Sequence, residues 1–522
     1  MSVKFKHFFK YAVILCFTLA AGCNLFFLNT YNLHPDEAYF WVWSRQLSPG
    51  YFDNSPMVAY IIRFFTLAGQ TEFWIRMPAF LSWVFFLWVV YLFAHRIYQN
   101  KKTAYLAVLL AVFTPLIATG SHIMTTDIPL IFWASLTWYF LYLAIEEENR
   151  NIWYIVGLMF GLSLLAKLQA ILMLGAVGAM LLIRPTKRHW IFRKEPYVAI
   201  FFGLVLFTPV LYWNSEHQWA MFKFSIQHGI HQKFDFQYLL EFWGGQLFVF
   251  SLIFIALFYY TYKNLLHWKT ISSKNAFLIG CYLPIYGFFS LTSLSYTALP
   301  NWPAIAYLPA IIFLAGQFQE TWQKNILIKR RLLAFYIVCS FFLTLILLFI
   351  ARYPGFFINT LKIQLPNSMI ITNNNFGWEE TAKEIDDIIA QKFPNAKKAV
   401  PIFCDGSYQT ASELQFYLKK RVAVFTTREA RHSQFDYLLL SKIKNYQQKP
   451  GLLILKNHLP IGINYYFENT SLLRPITIYR FHNQIRKLHI YYFKRLNAPA
   501  LYKAALHKPL GYPGTYPTSS TK

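Results

Sequence analysis

The residues of this sequence best suited to chemistry are carboxylates at the ends of hydrophobic segments. Asp36 and Glu37 follow the first such segment in the motif His34-Pro-Asp-Glu-Ala38, and Asp127 stands at the start of a later one. If the first segment enters a membrane from the cytoplasm, both sites lie at the outer face. A carboxylate within hydrogen-bond reach can take the proton of an attacking hydroxyl. We therefore expect catalysis at a membrane rim, on a substrate carried by a lipid.

Asp36 is the candidate general base, while Glu37 and Asp127 are candidates for orienting substrate hydroxyls or helping to hold a cation. A purely structural interpretation stays open for the first pair. Pro35 followed by two acids is typical of the first turn of a helix, where Asp36 and Glu37 would only cap an interfacial segment.

Basic residues on the same face could stabilise a phosphate leaving group, which needs a cation, a metal or N–H donors as its charge develops. Lys167 interrupts an apolar hairpin and could contact such a phosphate, or could equally extend to lipid headgroups. Arg45, Arg63 and Arg76 are less specific candidates for the same contact.

A histidine group in a later outward loop invites a metal interpretation. His217, His228 and His231 lie there with Glu216, but their spacing matches no standard ligand pattern. We expect histidines of the membrane interface rather than ligands, and assign no residue to a metal.

The composition indicates a polytopic membrane protein. The chain has 522 residues, of which 56% are hydrophobic and only 14% charged, too apolar for a soluble protein of this size. We expect about eleven transmembrane helices, several of them near the lower length limit. The predicted spans are residues 11–28, 79–98, 103–120, 127–144, 152–166, 168–183, 197–213, 244–262, 276–293, 302–317 and 332–351.

Lysine and arginine beside the spans predict the orientation. Basic loops alternate along the chain in the way expected if the N-terminus is cytoplasmic. Loops 29–78 and 214–243, and everything after residue 352, then face outward. This predicts a multi-pass membrane protein whose C-terminal part lies on the outer side. Much of the net charge of +26 comes from the short cytoplasmic loops, and no recognition motif accompanies it, so we expect no nucleic-acid partner.

Two parts are predicted: a membrane body over residues 1–352 and a soluble α/β domain over residues 353–507, followed by a disordered tail at 508–522. In the α/β domain, helices are predicted at 379–392 and 411–418. Strands are predicted at 399–403, 422–425 and 452–455. In the first outward loop, the aromatic run from Tyr39 to Trp43 is suited to lying in the membrane interface, and 58–67 is a second amphipathic piece.

Ordered motifs along most of residues 30–440 resemble the bacterial branch of the protein O-mannosyltransferase-like family, which has the GT-C membrane fold and includes the lipid A aminoarabinose transferases. Each motif is weak alone, but their order and spacing are specific. They are His34-Pro-Asp-Glu-Ala38, Gly50-Tyr-Phe-Asp53, Thr126-Asp-Ile-Pro-Leu130, Trp213-Asn-Ser-Glu-His-Gln-Trp219, Pro300-Asn-Trp-Pro-Ala304, Gly377-Trp-Glu-Glu380, Ser407-Tyr-Gln-Thr-Ala-Ser-Glu413 and Ser433-Gln-Phe-Asp436.

The resemblance implies transfer of a sugar from an undecaprenyl-phosphate carrier, with inversion, on the outer membrane face. A lipid A or lipopolysaccharide acceptor is the leading expectation. The family's catalytic acids fall on Asp36, Glu37 and Asp127. Substrate-binding roles are expected for a further set: Asp53, Lys167, Asn214, His217, Asn301 and Trp302. No cofactor is firmly implied and a divalent cation stays open, because relatives often read Asp-His-Pro-Pro where this chain has Asp53-Asn-Ser-Pro56.

Other functions stay open at this level. A protein acceptor is the alternative within the same enzyme class. A lipid or sugar transporter is the alternative of another class, although transporters usually place charged sites near the bilayer midplane and show inverted repeats, neither of which is visible here. A purely structural scaffold would leave the acidic loops without a purpose.

Overall fold

The structure is a computed structural model that describes residues 3–230, 234–324, 326–363, 370–394, 399–404, 408–420, 422–426, 433–456, 459 and 463–506. The predicted tail at 508–522 lies outside these residues. The α-helices are α1 (Val3–Phe27), α2 (Pro35–Arg45), α3 (Met57–Phe65), α4 (Glu72–Tyr98), α5 (Lys101–Val112), α6 (Pro115–Gly120), α7 (Asp127–Ile145), α8 (Ile152–Ala166), α9 (Leu172–Ile183), α10 (Lys194–Glu216), α11 (Ala220–Ile230), α12 (Phe236–Val249), α13 (Ile253–Leu266), α14 (Ser273–Thr292), α15 (Tyr307–Gln323), α16 (Leu327–Arg352), α17 (Trp378–Lys392), α18 (Tyr408–Tyr417), α19 (Gln434–Lys442) and α20 (Ala498–Leu506). The strands are β1 (Val400–Cys404), β2 (Val422–Thr426), β3 (Gly451–Leu455), β4 (Phe467–Glu468), β5 (Ser471–Arg480), β6 (Asn483–Phe493) and β7 (Arg495–Leu496).

Six helices among the described residues are long and apolar enough to cross a membrane, so the protein is a multi-pass membrane protein. They are α1, α4, α7, α10, α14 and α16. The pair α12 and α13 would make a seventh span, but it is bent by 112° at the break between its helices. Helices α8 and α9 are apolar but shorter. The predicted count of about eleven is not confirmed.

Local breaks explain why some predicted spans are not continuous helices. The predicted span 103–120 is divided between α5 and α6, because Pro115 lacks the amide proton that a continuing helix requires and Thr114 before it is extended. The predicted span 244–262 is divided at Ser251, a residue with a positive φ of 68°.

Helix α15 lies at the centre of the membrane part. Every residue from Tyr307 to Phe318 is buried, as expected of a helix that is apolar on all sides. Helices α1 and α16 lie at the other extreme, since only 17% of each spanning window is buried. Close approach of α8 and α10 relies on small residues: a Cβ on Gly157 would lie 2.5 Å from the carbonyl oxygen of Ala199.

The C-terminal part is built on a mixed five-stranded sheet with the order β2-β1-β3-β6-β5. Strands β2, β1 and β3 are parallel, whereas β6 runs antiparallel to both β3 and β5. The predicted helices at 379–392 and 411–418 and the three predicted strands are confirmed within one to three residues at each end. The long hairpin of β5 and β6 was not predicted.

One hydrophobic core joins the first outward loop to the C-terminal part. Tyr39 and Trp43 of α2 are buried in it with Ile62 of α3 and with Trp378 and Leu414 of the C-terminal part. The prediction that the aromatic run lies in the membrane interface is therefore wrong for these two rings. They pack against protein because α18 lies directly on α2.

Glu413 of α18 is a buried carboxylic acid within this packed region. Its side chain is 0% exposed, and neither carboxyl oxygen has a hydrogen-bond partner in the described part of the chain. Burial raises the pKa of Glu413 well above its usual value, an effect that the nearby Arg486 only partly offsets. The group is therefore protonated in the folded protein over a wider pH range than in the unfolded chain.

We expect Glu413→Gln to make the protein more stable than wild type at pH 8 and to lose that advantage towards pH 5. As pH rises above the ordinary carboxyl pKa of about 4.3, the unfolded chain releases the proton before the folded protein does, so the free energy of unfolding falls by at most about 1.4 kcal/mol per pH unit. Glutamine has no such proton. Thermal unfolding of the full-length protein in detergent measures this. The exposed Asp387→Asn is the control, and parallel pH profiles of wild type and Glu413→Gln would refute the idea.

Candidate active site

Asp36 lies in the first turn of α2. His34 is the N-cap: its Nδ1 accepts a hydrogen bond from the Asp36 amide at 3.2 Å, and its own amide donates to Glu37 Oε2 at 2.8 Å. Pro35 occupies the first helical position, where a missing amide proton costs nothing. The Asp36 carboxylate is 38% exposed and accepts a hydrogen bond from the Tyr408 hydroxyl of α18 at 3.1 Å.

Glu37 differs from its neighbour because it is 0% exposed. It pairs with Arg76 of α4, whose Nη2 lies 2.8 Å from Oε2, and its Oε1 accepts a hydrogen bond from the Met124 amide at 2.9 Å. Both carboxylate oxygens are therefore engaged within the protein. The predicted role of Glu37 in orienting hydroxyls or holding a cation stays a prediction.

Arg76 joins this carboxylate to the segment after α1. Besides Glu37, its guanidinium donates to the carbonyl oxygens of Leu28, Tyr31 and Asn32 at 3.2, 2.9 and 2.9 Å. These bonds use all five N–H groups of the arginine, and the side chain is 4% exposed. The expectation that Arg76 contacts a phosphate is therefore wrong.

Arg45, at the end of α2, has no such carboxylate partner in the described part of the chain. It donates to Gln70 Oε1 at 3.0 Å and to the Thr66 hydroxyl, and it lies over the Trp41 ring. Burial and the nearby Arg63 lower the pKa of Arg45 to about 10. Phosphate contacts by Arg45 and Arg63 stay predictions.

Asp127, Lys167 and Asn301 meet in direct contact although they are far apart in the chain. Asp127 begins α7, and its Oδ1 lies 2.7 Å from Lys167 Nζ. Its Oδ2 accepts a hydrogen bond from Asn301 Nδ2 at 2.8 Å. Lys167 reaches this point because it ends α8 in an extended conformation. Both charged side chains stay partly accessible, at 12% for Lys167 and 15% for Asp127.

Asp53 lies behind α2 rather than at its exposed end. It is 8% exposed and accepts a hydrogen bond from the Tyr39 hydroxyl at 2.8 Å. That hydroxyl accepts a hydrogen bond from the Gln434 amide of α19 at 2.7 Å. Asp53 thus belongs to a network that joins α2, the following loop and the C-terminal part.

The remaining predicted binding residues lie at two other places. Asn214 is buried and accepts a hydrogen bond from the Met221 amide, linking α10 to α11. His217 stacks on Trp213 at a centroid distance of 4.0 Å, and Trp213 fills the space where a Cβ on Gly50 would lie. Trp302 is half-buried beside Asn301. Substrate binding by these residues stays a prediction.

No metal site is visible in the described residues, which contain no group of three His, Cys, Asp or Glu side chains able to hold an ion. His231 and the side chain of His228 lie outside the described part of the chain. The structure therefore brings Asp127, Lys167 and Asn301 together, while Asp36, Glu37 and Asp53 surround α2. No hydrogen bond or ion pair joins the two groups directly within the described residues.

Three tyrosines at the site were not predicted as functional. Tyr408 donates to Asp36, and Tyr39 donates to Asp53. Tyr417 donates to Glu72 at 2.8 Å and accepts from the Leu33 amide. Tyr408 is part of the motif Ser407–Glu413, but only the fold shows that α18 lies on α2.

Comparisons with known proteins agree with this architecture. Residues 53–213 match the family model described as dolichyl-phosphate-mannose-protein mannosyltransferase. The chain is similar to the lipid A galacturonosyltransferase RgtD of Rhizobium johnstonii, at 24% identity over 319 residues. That match covers 60% of this chain and 66% of the relative, slightly less than two thirds of the relative's length.

Solved structures show the same fold. The crystal structure of ArnT from Cupriavidus metallidurans in the apo state superposes with a TM-score of 0.61 at 16% identity, covering 92% of this chain and 98% of that one. The structure of the same protein bound to undecaprenyl phosphate gives 0.62 at 16% identity, covering 92% of this chain and 97% of that one. The matches agree with the resemblance found in the sequence motifs, and the solved structures share the fold.

We expect Glu37→Gln to destabilise the protein by about 3 kcal/mol, since removal of one partner leaves the buried Arg76 charge uncompensated. Asp36→Asn, at the neighbouring but exposed position, should change stability by about 0.5 kcal/mol or less. Thermal unfolding of the two purified variants compares them directly. Equal unfolding temperatures for both would show that the buried pair does not hold the site.

Proposed function

We propose that this relative of the bacterial protein O-mannosyltransferase-like glycosyltransferases, with their GT-C fold, transfers a sugar from undecaprenyl phosphate to lipid A. The observation that carries the proposal is the contrast between two neighbouring acids. Asp36 is partly exposed: its carboxylate accepts a hydrogen bond from Tyr408 and lies 3.8 Å from His34 Nδ1, whereas Glu37 is buried and fully paired. Only Asp36 is free to accept a proton from an incoming substrate.

The reaction is a single displacement at the anomeric carbon. An acceptor oxygen forms the new bond to that carbon as its proton passes to Asp36. The bond between the carbon and the phosphate oxygen breaks, and the electron pair leaves with the polyprenyl phosphate. Attack from the side opposite the leaving group inverts the configuration.

Lys167 is suited to stabilise the leaving phosphate. Its Nζ uses one donor on Asp127, which leaves two N–H groups of the ammonium for phosphate oxygens. Asp127 and Asn301 fix the position of the ammonium in a partly buried site, where its charge acts more strongly than in water. We assign to Asp127 the role of positioning Lys167. Asn301 and Trp302 belong to the same end of the site.

Glu37 and Arg76 hold the catalytic segment in place. Their pairing joins α2 to α4, to residues 28–32 and to Met124, three residues before Asp127. Asp53 supports α2 through Tyr39, and Asn214 and His217 support the adjoining loop. The proposal routes no step through a cation.

The acceptor assignment rests on the relatives. Lipid A is the acceptor in the name of one relative, and undecaprenyl phosphate is bound in the structure of another. A protein acceptor is the second candidate, because the family model is described as a protein mannosyltransferase. A transporter has no comparable support among the matches.

We further propose that the reaction occurs on the periplasmic side of a bacterial inner membrane. The distribution of lysine and arginine favours a cytoplasmic N-terminus. Residues 1–352 then form the transmembrane catalytic domain, and residues 353–507 form a periplasmic domain over its outer face. The contact of Tyr408 with Asp36 supports this arrangement, since it requires both groups on one side.

Asp36→Asn should lower sugar transfer by about 100- to 10,000-fold, the range expected for loss of a general base. Mass spectrometry of lipid A and core oligosaccharide from wild-type, deletion and Asp36→Asn cells measures the product, with Asp387→Asn as a matched control and protein levels checked. A mass loss shared by the deletion and Asp36→Asn supports the proposal. Unchanged lipid A together with a changed glycoprotein would favour the protein acceptor, and no change in either would exclude transfer.

Lys167→Gln should weaken use of the donor rather than the acceptor. Loss of one charge-assisted contact to the phosphate is expected to raise KM for the polyprenyl-phosphate sugar by about tenfold or more. Steady-state kinetics with each substrate varied in turn distinguishes an effect on KM for the donor from an effect on KM for the acceptor. The exposed Lys487→Gln is the matched control, and a rise confined to KM for the acceptor would contradict the role given to Lys167.

A further inference from the structure

A cavity of about 430 Å³ lies between the segment that follows α1 and the C-terminal part. Residues 30–32 line one side, and the start of α17 with Arg480 of β5 lines the other. We call it the outer cavity. Its volume is within the range of small-molecule sites. It contains Gly377, Glu379 and Glu380 of a motif to which the proposed reaction assigns no role.

Arg480 is a half-buried cation in this cavity without an anionic partner. Its Nη1 donates to the Thr372 hydroxyl at 3.0 Å and to Asn373 Oδ1 at 2.9 Å. Its guanidinium lies 4.7 Å from the ring centre of Phe376 and 4.9 Å from that of Phe481. No carboxylate forms an ion pair with it in the described part of the chain, and Nη2 makes no hydrogen bond there. Partly buried charges are usually paired, so this arrangement favours an anionic ligand.

The other lining groups suit a hydroxylated ring. The carboxamide oxygen of Asn375 is buried and accepts no hydrogen bond from the described residues. Glu379 and Glu380 are exposed at the start of α17 and can accept bonds from hydroxyls, and the half-buried Phe376 offers an apolar face. Lys383, one turn further along α17, adds a second cation. Groups that could bind an anion and groups that could bind hydroxyls therefore line the same cavity.

The cavity lies beside α1 and α16, the two least buried of the six candidate spans among the described residues. Tyr31, on its wall, donates a hydrogen bond to the carbonyl oxygen of Arg352, the last residue of α16, and residues 30–32 closely follow α1. Only 17% of the spanning window of each helix is buried. A ligand with its headgroup in the cavity can therefore keep its acyl chains along α1 and α16.

We propose that the outer cavity binds the phosphorylated sugar headgroup of a glycolipid, the acceptor of the reaction. Arg480 and Lys383 hold the phosphate, while Asn375, Glu379 and Glu380 bind sugar hydroxyls. The identification of this ligand as the acceptor rests on the proposed function; the binding itself does not. Asn32, on the cavity wall, is four residues before Asp36, so the same short segment connects the bound headgroup to the base.

Direct binding tests this assignment. The full-length protein in phosphatidylcholine nanodiscs is titrated with bis-phosphorylated lipid A, with dephosphorylated lipid A and with phosphatidylglycerol. We expect wild type to prefer bis-phosphorylated lipid A, and Arg480→Gln to bind it about tenfold more weakly. Lys383→Gln, at an exposed position that does not endanger folding, should weaken binding about threefold. Lys487→Gln is the control of equal charge change. Undecaprenyl phosphate should bind equally to all four proteins.

Several outcomes would overturn the proposal. Wild type that does not bind lipid A, or folded Arg480→Gln and Lys383→Gln that bind it like Lys487→Gln, would remove the site. Phosphatidylglycerol bound as tightly as lipid A would reassign the cavity to phospholipid headgroups. Asp36→Asn separates the proposed reaction from the proposed binding site, because it should strongly lower sugar transfer and leave lipid A binding unchanged. Lipid A binding that depends on Arg480, without any transfer by wild type, would refute the reaction alone.

Discussion

The buried ion pair of Glu37 and Arg76 is the interaction on which the arrangement of residues around α2 depends. Two charges withdrawn from water are stable only when geometry is good and every remaining donor and acceptor is satisfied. Here Arg76 uses all five of its N–H groups, and Glu37 accepts from Arg76 and from two amides. The pair joins α2, α4, residues 28–32 and Met124, which lies shortly before α7. Asp36 is adjacent to the pair in sequence, so its position is determined by it.

The C-terminal part contributes to the same constraint. Hydroxyls of Tyr408 and Tyr417 bind Asp36 and the Leu33 amide, and the Gln434 amide donates to Tyr39. Because these contacts accompany a shared hydrophobic core, the C-terminal part is packed directly on α2. Displacement of α18 would therefore expose Asp36 and the aromatic face of α2 to water together.

Local features of the fold were predictable, and non-local ones were not. Pro35 with two following acids predicted the start of α2, and the strands before and after α18 followed from short apolar runs. The hairpin of β5 and β6 was missed because its outer strand is largely exposed and lacks a clear alternating pattern. Asp127, Lys167 and Asn301 were each named, yet their contacts cross 40 and 174 residues of sequence. No local pattern encodes such contacts.

Asp36 and Asp127 differ in the groups that neutralise them, and the separate roles proposed for them rest on this difference. Asp127 is bound to an ammonium and an amide, so a proton arriving there would have to displace Lys167. The Asp36 carboxylate has a tyrosine hydroxyl and the positive end of α2 beside it, and His34 Nδ1 lies 3.8 Å from its Oδ2. His34 cannot neutralise it through Nδ1, because that nitrogen already accepts the Asp36 amide proton. The proposed reaction therefore separates proton acceptance, assigned to Asp36, from stabilisation of the leaving charge, assigned to Lys167.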